Sequence, residues 1–454
     1  VKVLGISEGF HDGAVAVVNS DTKEIEFATH SERYTRIKND PRIPYELITA
    51  NPHDLRVYYE DVSLKNQRRL QHGQSARVSS IAELCDDFVS HHEAHAAAAY
   101  YTSPFDHTGC VIAVIDAIGE WQTASIWKPG PRGLVLVEER RYPFSLGLFY
   151  SAITKRIGLR ANEDEYITMG MAAFGNPCIG MDDCLSRNLH RGFSLNDFKG
   201  HRPEDIAASA QALIEKEIID FITPWRNMGH NLCYGGGVAL NCVANSKLAA
   251  YFDNIWIMPS PGDAGSSLGA ALGYLNQKVH FQDTYLGYSI DRQINPREVA
   301  QYLAKKGVAG VAHGQAEFGP RALGNRSLLG DPRVSNIKRR LNNVKRRQKF
   351  RPFAPAILSE FASEYFEGPM NEYMQFVAEA KHNYEGITHV DGTARVQLVP
   401  QHSRSVFRQI LEEFYEITGV PMLLNTSLNI KGQPMVNNEQ DALDFEKKYK
   451  VKVF

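Results

Sequence analysis

In the run SHHEAHAAAAYY, residues 90 to 101, His91 and His95 stand four apart with Glu93 between them. On a helix that spacing puts both imidazoles on one face about one turn apart, where they could share a metal ion. The H-E-x-x-H order of a zinc protease is absent. Taken alone, the pair also fits a helix with a wet histidine edge over an alanine-rich buried face at Ala94 and Ala96 to Ala99.

A second concentration of chemistry lies in GQAEFGPRALGNRSLLGDPR (314 to 333), which sets Glu317, Arg321, Asn325, Arg326, Asp331 and Arg333 among glycines and a proline. Such a run is poor core material, because each guanidinium needs a partner if it is buried. Downstream, NNVKRRQKFRPFAPAI (342 to 357) carries Lys345 and Arg351, and PMLLNTSLNIKGQP (421 to 434) ends an apolar strand in Asn425, Thr426, Ser427 and Asn429. Cationic forks beside hydroxyl and amide groups at a strand end make a pocket for phosphate and carbonyl oxygens. Lys338, Arg339, Arg346 and Arg347 read instead as the solvated face of a basic helix.

Elements must hold these groups in place. VKVLGISEGFHDGAVAVV (1 to 18) and GCVIAVIDAIGEWQTASIW (109 to 127) both read as strand, small-residue turn, strand, which predicts an internally duplicated fold of the kind found in sugar kinases, actin and Hsp70. In NLCYGGGVALNCVANSKL (231 to 248) a strand runs through three glycines into a helix, presenting backbone amides and a helix N-terminus to an anion. Helices are expected over 145–160 and 203–223, and an irregular insertion over 176–200. A domain boundary is expected around 276–296, after which PREVAQYLAKKGVAGVAHG starts a smaller α/β domain with a helix and then a strand.

The chain has 454 residues, a formal net charge of −2, and 22% charged against 43% apolar residues, so two or three soluble domains are expected and a globally basic nucleic-acid coat is excluded. Six cysteines without a C-x-x-C pair suggest reduced thiols and a cytoplasmic protein. No signal peptide or long apolar run is read, and no membrane partner is expected.

Together the motifs resemble the O-carbamoyltransferase family that includes the nodulation-factor, cephamycin and tobramycin carbamoyltransferases. The likeness rests on HDGAVAVV, HHEAHAAAAYYTSPF, DAIGEWQTA, EYITMGMAAFG, GGGVALNCVANSKL, PSPGDAGSSLGAA, EFGPRALGNRSLLGDPR, NNVKRRQKFRPFAP, DGTARVQ and NTSLNIKGQP. It implies an α/β protein with a duplicated actin/sugar-kinase-like (ASKHA) carbamoyl-transfer domain over 1–282. A YrdC-like domain over 283–454 would make carbamoyl adenylate from carbamoyl phosphate and ATP, with Mg(II) accompanying the nucleotide. By motif, Lys345 and Arg351 would grip carbamoyl phosphate and the adenylate, with Arg321 and Arg395 adding charge and Ser427 and Asn429 bonding the oxygens. Phosphoryl and acyl-phosphate chemistry depends on neutralising such charge.

In this family H-x-x-x-H begins a mononuclear metal site. The resemblance therefore makes His91, His95, Asp116 and Asp263 the ligands of a divalent ion, Fe(II) first, with Mn(II) or Zn(II) as alternatives. Gly235, Gly236, Gly237 and Asn241 would hold the nucleotide, and His11 would take the proton of the acceptor hydroxyl. A turn-stabilising role is the simpler alternative for His11. The chain is shorter than the family pattern around 176–215 and at the C-terminus, which leaves the acceptor open. A sugar or antibiotic-like small molecule stands against a 5-hydroxymethyl-pyrimidine, such as 5-hydroxymethylcytosine, in a nucleotide or DNA. A tRNA threonylcarbamoyl transferase fits the order of motifs less well, and a non-catalytic nucleotide-binding module would not need the full ligand set. A homodimer is compatible with all of these.

Overall fold

The computed structural model describes residues 1–454. Two compact units emerge, one formed by 1–31 with 41–282 and the other by 32–40 with 283–454. No helix is long and apolar enough to cross a membrane.

The first unit holds two five-stranded sheets of mixed α/β construction. In one, β1 (Lys2–Ser7), β2 (Ala14–Asn19) and β3 (Glu24–His30) form an antiparallel meander, and β4 (Leu55–Tyr58) and β5 (Asp87–Phe88) add in parallel on the far side of β1. In the other, β6 (Cys110–Ile115), β7 (Gln122–Gly130) and β8 (Gly133–Arg141) meander, while β9 (Asn231–Gly235) and β10 (Asn254–Ile257) add in parallel beside β6. The strand order 3-2-1-4-5 thus occurs twice, which is the duplication expected from the two strand–turn–strand runs. The central strands β1 and β6 are buried almost throughout, so their sequences are near-continuous apolar runs rather than alternating ones.

Each half then ends in the same way. Helix His91–Tyr101 follows β5, and a short 3-10 turn at Asp263–Gly265 with helix Ser266–Leu275 follows β10. The two helices lie against each other because both carry small residues at the crossing. A Cβ at Gly269 would stand 1.8 Å from the carbonyl oxygen of Ala94, so only glycine admits this approach. The alanine-rich face of His91–Tyr101 is fully buried, as its composition suggests. The helices expected at 145–160 and 203–223 appear at Leu146–Arg156 and Pro203–Ile222, and 176–200 carries only short 3-10 turns.

In the second unit a five-stranded sheet has the order 308–312, 326–330, 422–427, 354–358, 397–399. Alternate residues face opposite sides: Leu423 and Leu329 pack under helices Pro296–Lys306 and Val406–Thr418, while Met422, Leu424 and Leu328 join the side covered by Ile337–Lys345 and Glu439–Tyr449. Residues 32–40 join this unit through two arginines. Arg33 reaches the carbonyl of Glu317, and Arg36 reaches those of Pro434 and Met435.

Candidate active site

Four side chains meet in the first unit. His91 and His95 come from the first turns of their helix, Asp116 from the turn after β6, and Asp263 from the turn after β10. All four therefore lie at carboxyl ends of strands, where open α/β sheets place their ligands. His91 Nε2 is 3.1 Å from Asp116 Oδ2, 3.2 Å from His95 Nε2 and 3.5 Å from Asp263 Oδ1. His95 Nε2 is 3.3 Å from Asp263 Oδ1 and 3.9 Å from Asp116 Oδ2.

The set fits a divalent cation. Donor–metal distances of about 2.1 Å place neighbouring donors roughly 3.0 to 3.4 Å apart in octahedral or tetrahedral geometry, close to most of these separations. Two Nε2 atoms facing each other, backed by two carboxylates, need a shared positive centre. Burial works against charge on His91, but Asp263, Asp116 and Glu120 outweigh it and carry its pKa up to about 9. Asp116 is buried too, which alone would raise its pKa, yet His91, His95 and the Gly237 amide bring it well below the carboxylate range.

An outer ring fixes these ligands. Ser266 Oγ lies 3.2 Å from His95 Nδ1, orienting the ring so that Nε2 faces the centre. Glu120 accepts from the backbone amides of His91 and Asp61, tying the helix start to the turn after β6. His91 Nδ1 has no hydrogen-bond partner, and the nearest carboxylate, Glu60, is 3.8 Å away and bound to Lys65. His92 points elsewhere: its Nδ1 meets Ser125 Oγ at 2.7 Å, and burial keeps the ring neutral. Sequence reasoning names no role for Ser266, Glu120 or Glu60; Ser266 and Glu120 lie inside the PSPGDAGSSLGAA and DAIGEWQTA runs, whereas Glu60 carries no local signal.

The glycine run sits beside this group. Gly236 has φ +90°, and a Cβ there would stand 2.2 Å from the carbonyl oxygen of Ile115, so the loop can approach β6 only as glycine. Gly237 N–H donates to Asp116 Oδ1 at 2.9 Å, and Gly236 N–H to Pro261 O. The loop therefore holds Asp116 in place, whatever else it binds. Gly235 ends β9 against the helix carrying His95. Asn241 is occupied: it caps helix Cys242–Leu248 through Ala244 N–H and exchanges two hydrogen bonds with the buried Gln211 amide.

His11 lies in the turn between β1 and β2. Its Nδ1 is 3.1 Å from Asp12 Oδ2, and its Nε2 meets the carbonyl of Asn162. Burial opposes its charge, but Asp12 and that carbonyl prevail and raise its pKa to about 9. Both nitrogens are thus engaged in the resting arrangement.

In the second unit Lys345, Ser427 and Asn429 come together. Lys345 Nζ donates to Ser427 O at 2.6 Å, Ser427 Oγ at 2.9 Å and Asn429 Oδ1 at 2.6 Å. It is 4% exposed, and burial followed by Arg347, Arg351 and Lys38 depresses its pKa well below the usual lysine range. No carboxylate bonds it. Arg351 lies near enough to act on that charge, while the Asn342 side chain holds its carbonyl. Arg321 and Arg395 are half-buried on neighbouring segments. The Gln397 and Asn425 amides join those segments to the Ser427 strand, through Gln397 to Leu323 O and Asn425 to Ala322 O and Gln397. Arg326 is structural, its guanidinium spent on the carbonyls of Tyr288, His313, Gly314, Asn325 and Asn437. Arg347 departs from the solvated face expected for it, bonding Asn342 and stacking on Phe353.

Comparison with known proteins places the family. The carbamoyltransferase C-terminus family matches residues 300–454, and the carbamoyltransferase N-terminus family matches 70–197 and 184–272. An uncharacterized protein of Synechocystis, sll1178, is 31% identical over 97% of this chain and 93% of its own length. That alignment spans 577 positions, so the relative carries segments this chain lacks. The nodulation protein NolNO of Sinorhizobium fredii is 31% identical over 95% of this chain and 76% of its own. Among solved structures, T. kodakarensis HypF superposes with a TM-score of 0.35 at 12% identity over 61% of this chain and 47% of its own. The repeated strand order, rather than that weak superposition, defines the fold. On the match of both family halves and the full-length relatives, the chain belongs to the carbamoyltransferase family.

Proposed function

We propose that the chain is an O-carbamoyltransferase working in two steps, with carbamoyl adenylate as the intermediate. In the second unit carbamoyl phosphate, ATP (with Mg(II)) and water give carbamoyl adenylate, pyrophosphate and phosphate. The observation that carries this step is Lys345: a buried ammonium bonded only to neutral acceptors and crowded by further cations. Such a charge is costly until an anion arrives, so the pocket favours phosphate and the charge that develops on it. Arg351, Arg321 and Arg395 add to that field, and Ser427 and Asn429 bond the carbamoyl and phosphate oxygens.

In the first unit the carbamoyl group passes from the adenylate to an acceptor hydroxyl. His91, His95, Asp116 and Asp263 would hold the divalent ion, and two nitrogens with two oxygens suit Fe(II), Mn(II) or Zn(II). When bound, the ion supplies orientation of the adenylate phosphate and polarisation of the acyl phosphate. Gly235, Gly236 and Gly237 offer backbone to the nucleotide, and Asn241 supports the loop. With both nitrogens donating, to Asp12 and to the Asn162 carbonyl, the His11 ring is an imidazolium below about pH 9. To take the hydroxyl proton it must first release the Nε2 proton and that carbonyl, after which Asp12 stabilises the imidazolium re-formed on attack. The hydroxyl oxygen then bonds the carbamoyl carbon, and AMP leaves.

The acceptor is proposed as a sugar or antibiotic-like small molecule. A second reading, a 5-hydroxymethyl-pyrimidine in a nucleotide or DNA, draws on exposed Arg339, Arg340 and Arg346 and on the segments missing relative to sll1178. The test is purified, metal-loaded protein with ATP, radiolabelled carbamoyl phosphate and a panel of hydroxyl acceptors that includes hydroxymethylated DNA. ATP-dependent transfer of label to one acceptor class supports the reading and names the class. Failure of ATP to draw label from carbamoyl phosphate refutes it.

A further inference from the structure

At the far end of helix Val62–Gln71 the first unit has a cluster of buried polar groups, roofed by side chains, that the carbamoyl chemistry above does not use. Its floor is Arg68, 3% exposed, and Tyr142, 7% exposed. Arg68 forms no ion pair, and its Nε has no hydrogen-bond partner. The Tyr142 hydroxyl is also buried without a partner. Arg68 Nη1 approaches His190 Nε2 at 3.4 Å, at the long end of a hydrogen bond. A guanidinium nitrogen and a phenol left this way in one place are costly to the fold until a partner bonds them.

The rim is exposed and has the same character. His72 stands edge-on to Tyr142 at 4.9 Å and to Trp121 at 5.8 Å, giving a flat-sided aromatic wall. Tyr142 is tilted against His190 at 5.2 Å. Two further cations act on these groups, Arg191 on Tyr142 and Arg69 on both Arg68 and His190, while the carboxylates of Glu60 and Glu120 act on Arg68 without bonding it. Burial, then Arg68 and Arg69, hold the His190 pKa down to about 4, so the ring is neutral. His190 and Arg191 come from 184–197, where the two pieces of the N-terminal family match overlap and the family pattern is interrupted. Trp121 follows Glu120, whose carboxylate holds the His91 amide, and the Trp121 carbonyl accepts from Tyr142 N–H. The cluster is therefore bonded to the frame of the His91 group.

We propose that this cluster is a second oxyanion site, taking a phosphate-class group onto Arg68 and the Tyr142 hydroxyl when the exposed His72 and His190 side chains that cover them swing aside. Arg191 and Arg69 then lie at its edge, with Trp121 beside whatever carries the phosphate. The chemistry is that of a charge-assisted fork on a tetrahedral anion. The occupant is either free phosphate or a phosphate ester, and Trp121 favours the ester. None of this depends on how the carbamoyl group is activated.

The experiment is titration calorimetry at low salt with inorganic phosphate and, separately, glucose 6-phosphate. The background is Lys345→Ala, which removes the anion pocket of the second unit. Saturable binding is expected, weakened about tenfold or more by Arg68→Met. Tyr142→Phe, which deletes one oxygen, should weaken it about threefold with an unchanged melting temperature, so a folding defect in the arginine variant cannot be mistaken for the effect. Loss for both probes supports a general oxyanion site, and loss for the ester alone supports one that also reads the carrier. Affinity for both probes that is the same with and without Arg68, or no binding in the Lys345→Ala background, overturns the proposal.

Discussion

The histidine–aspartate group and the Lys345 pocket use one device with opposite sign, buried polar groups of one kind gathered at a point. Around His91 two carboxylates and two imidazoles converge, a donor set that fits a cation. Around Lys345 one ammonium meets a hydroxyl, a carbonyl and an amide oxygen and no carboxylate, a setting that fits an anion. The chemistry of each cluster therefore identifies the class of ligand, even where the ligand's name is open.

The comparison breaks most visibly at the ligands. His91→Ala or Asp116→Ala should leave the purified protein without its ion, read by elemental analysis; full occupancy in either variant would remove the assignment. A smaller effect sharpens the other side. Lys345→Met should abolish carbamoyl-phosphate-dependent pyrophosphate release and yet raise stability to unfolding by about 1 kcal/mol, because an unneutralised buried charge has been replaced by an apolar chain. A marked loss of stability would mean that Lys345 is there to hold the fold. Ser266→Ala, which frees the His95 ring, should lower metal affinity by roughly 10- to 100-fold while the ion still binds. Asn241→Ala should cost about 1 kcal/mol in denaturant unfolding through loss of its helix cap. If nucleotide affinity falls without that loss, its side chain contacts the ligand directly.

The last test concerns pH. Burial lowers the His11 pKa, but Asp12 and the Asn162 carbonyl outweigh it and raise it from the ordinary 6.5 to about 9, so its protonated form is stabilised by folding. That contribution is complete below pH 6.5 and disappears as pH rises through about 9. His11→Asn should accordingly flatten the stability profile between those limits, and an NMR titration of the His11 ring should give the raised value.

Local patterns carried most of what could be read in advance. The H-x-x-x-H pair, the glycine run after β9 and the two strand–turn–strand openings are each set by short-range geometry, and each appears where the residues suggested. The twofold use of one strand order followed from the same openings. What stayed hidden depends on contacts far apart in the chain. Residues 32–40 join the second unit through arginines bonded to carbonyls some 280 to 400 positions away. The His11 ring is held by Asn162, and Arg68 meets His190, at separations of 151 and 122. Asn241 was legible as part of the loop, but its engagement by Gln211 was not, because nothing near Gln211 in sequence points to it.

The central claim is that activation belongs to the cation-lined pocket and transfer to the metal group. Carbamoyl-phosphate-dependent pyrophosphate release from ATP, measured in parallel for Lys345→Ala and His91→Ala, tests it most directly. The account predicts that Lys345→Ala loses release by about a thousandfold, while His91→Ala keeps it and fails only to form carbamoylated product. Loss of release in both variants, or its survival in Lys345→Ala, would contradict the division.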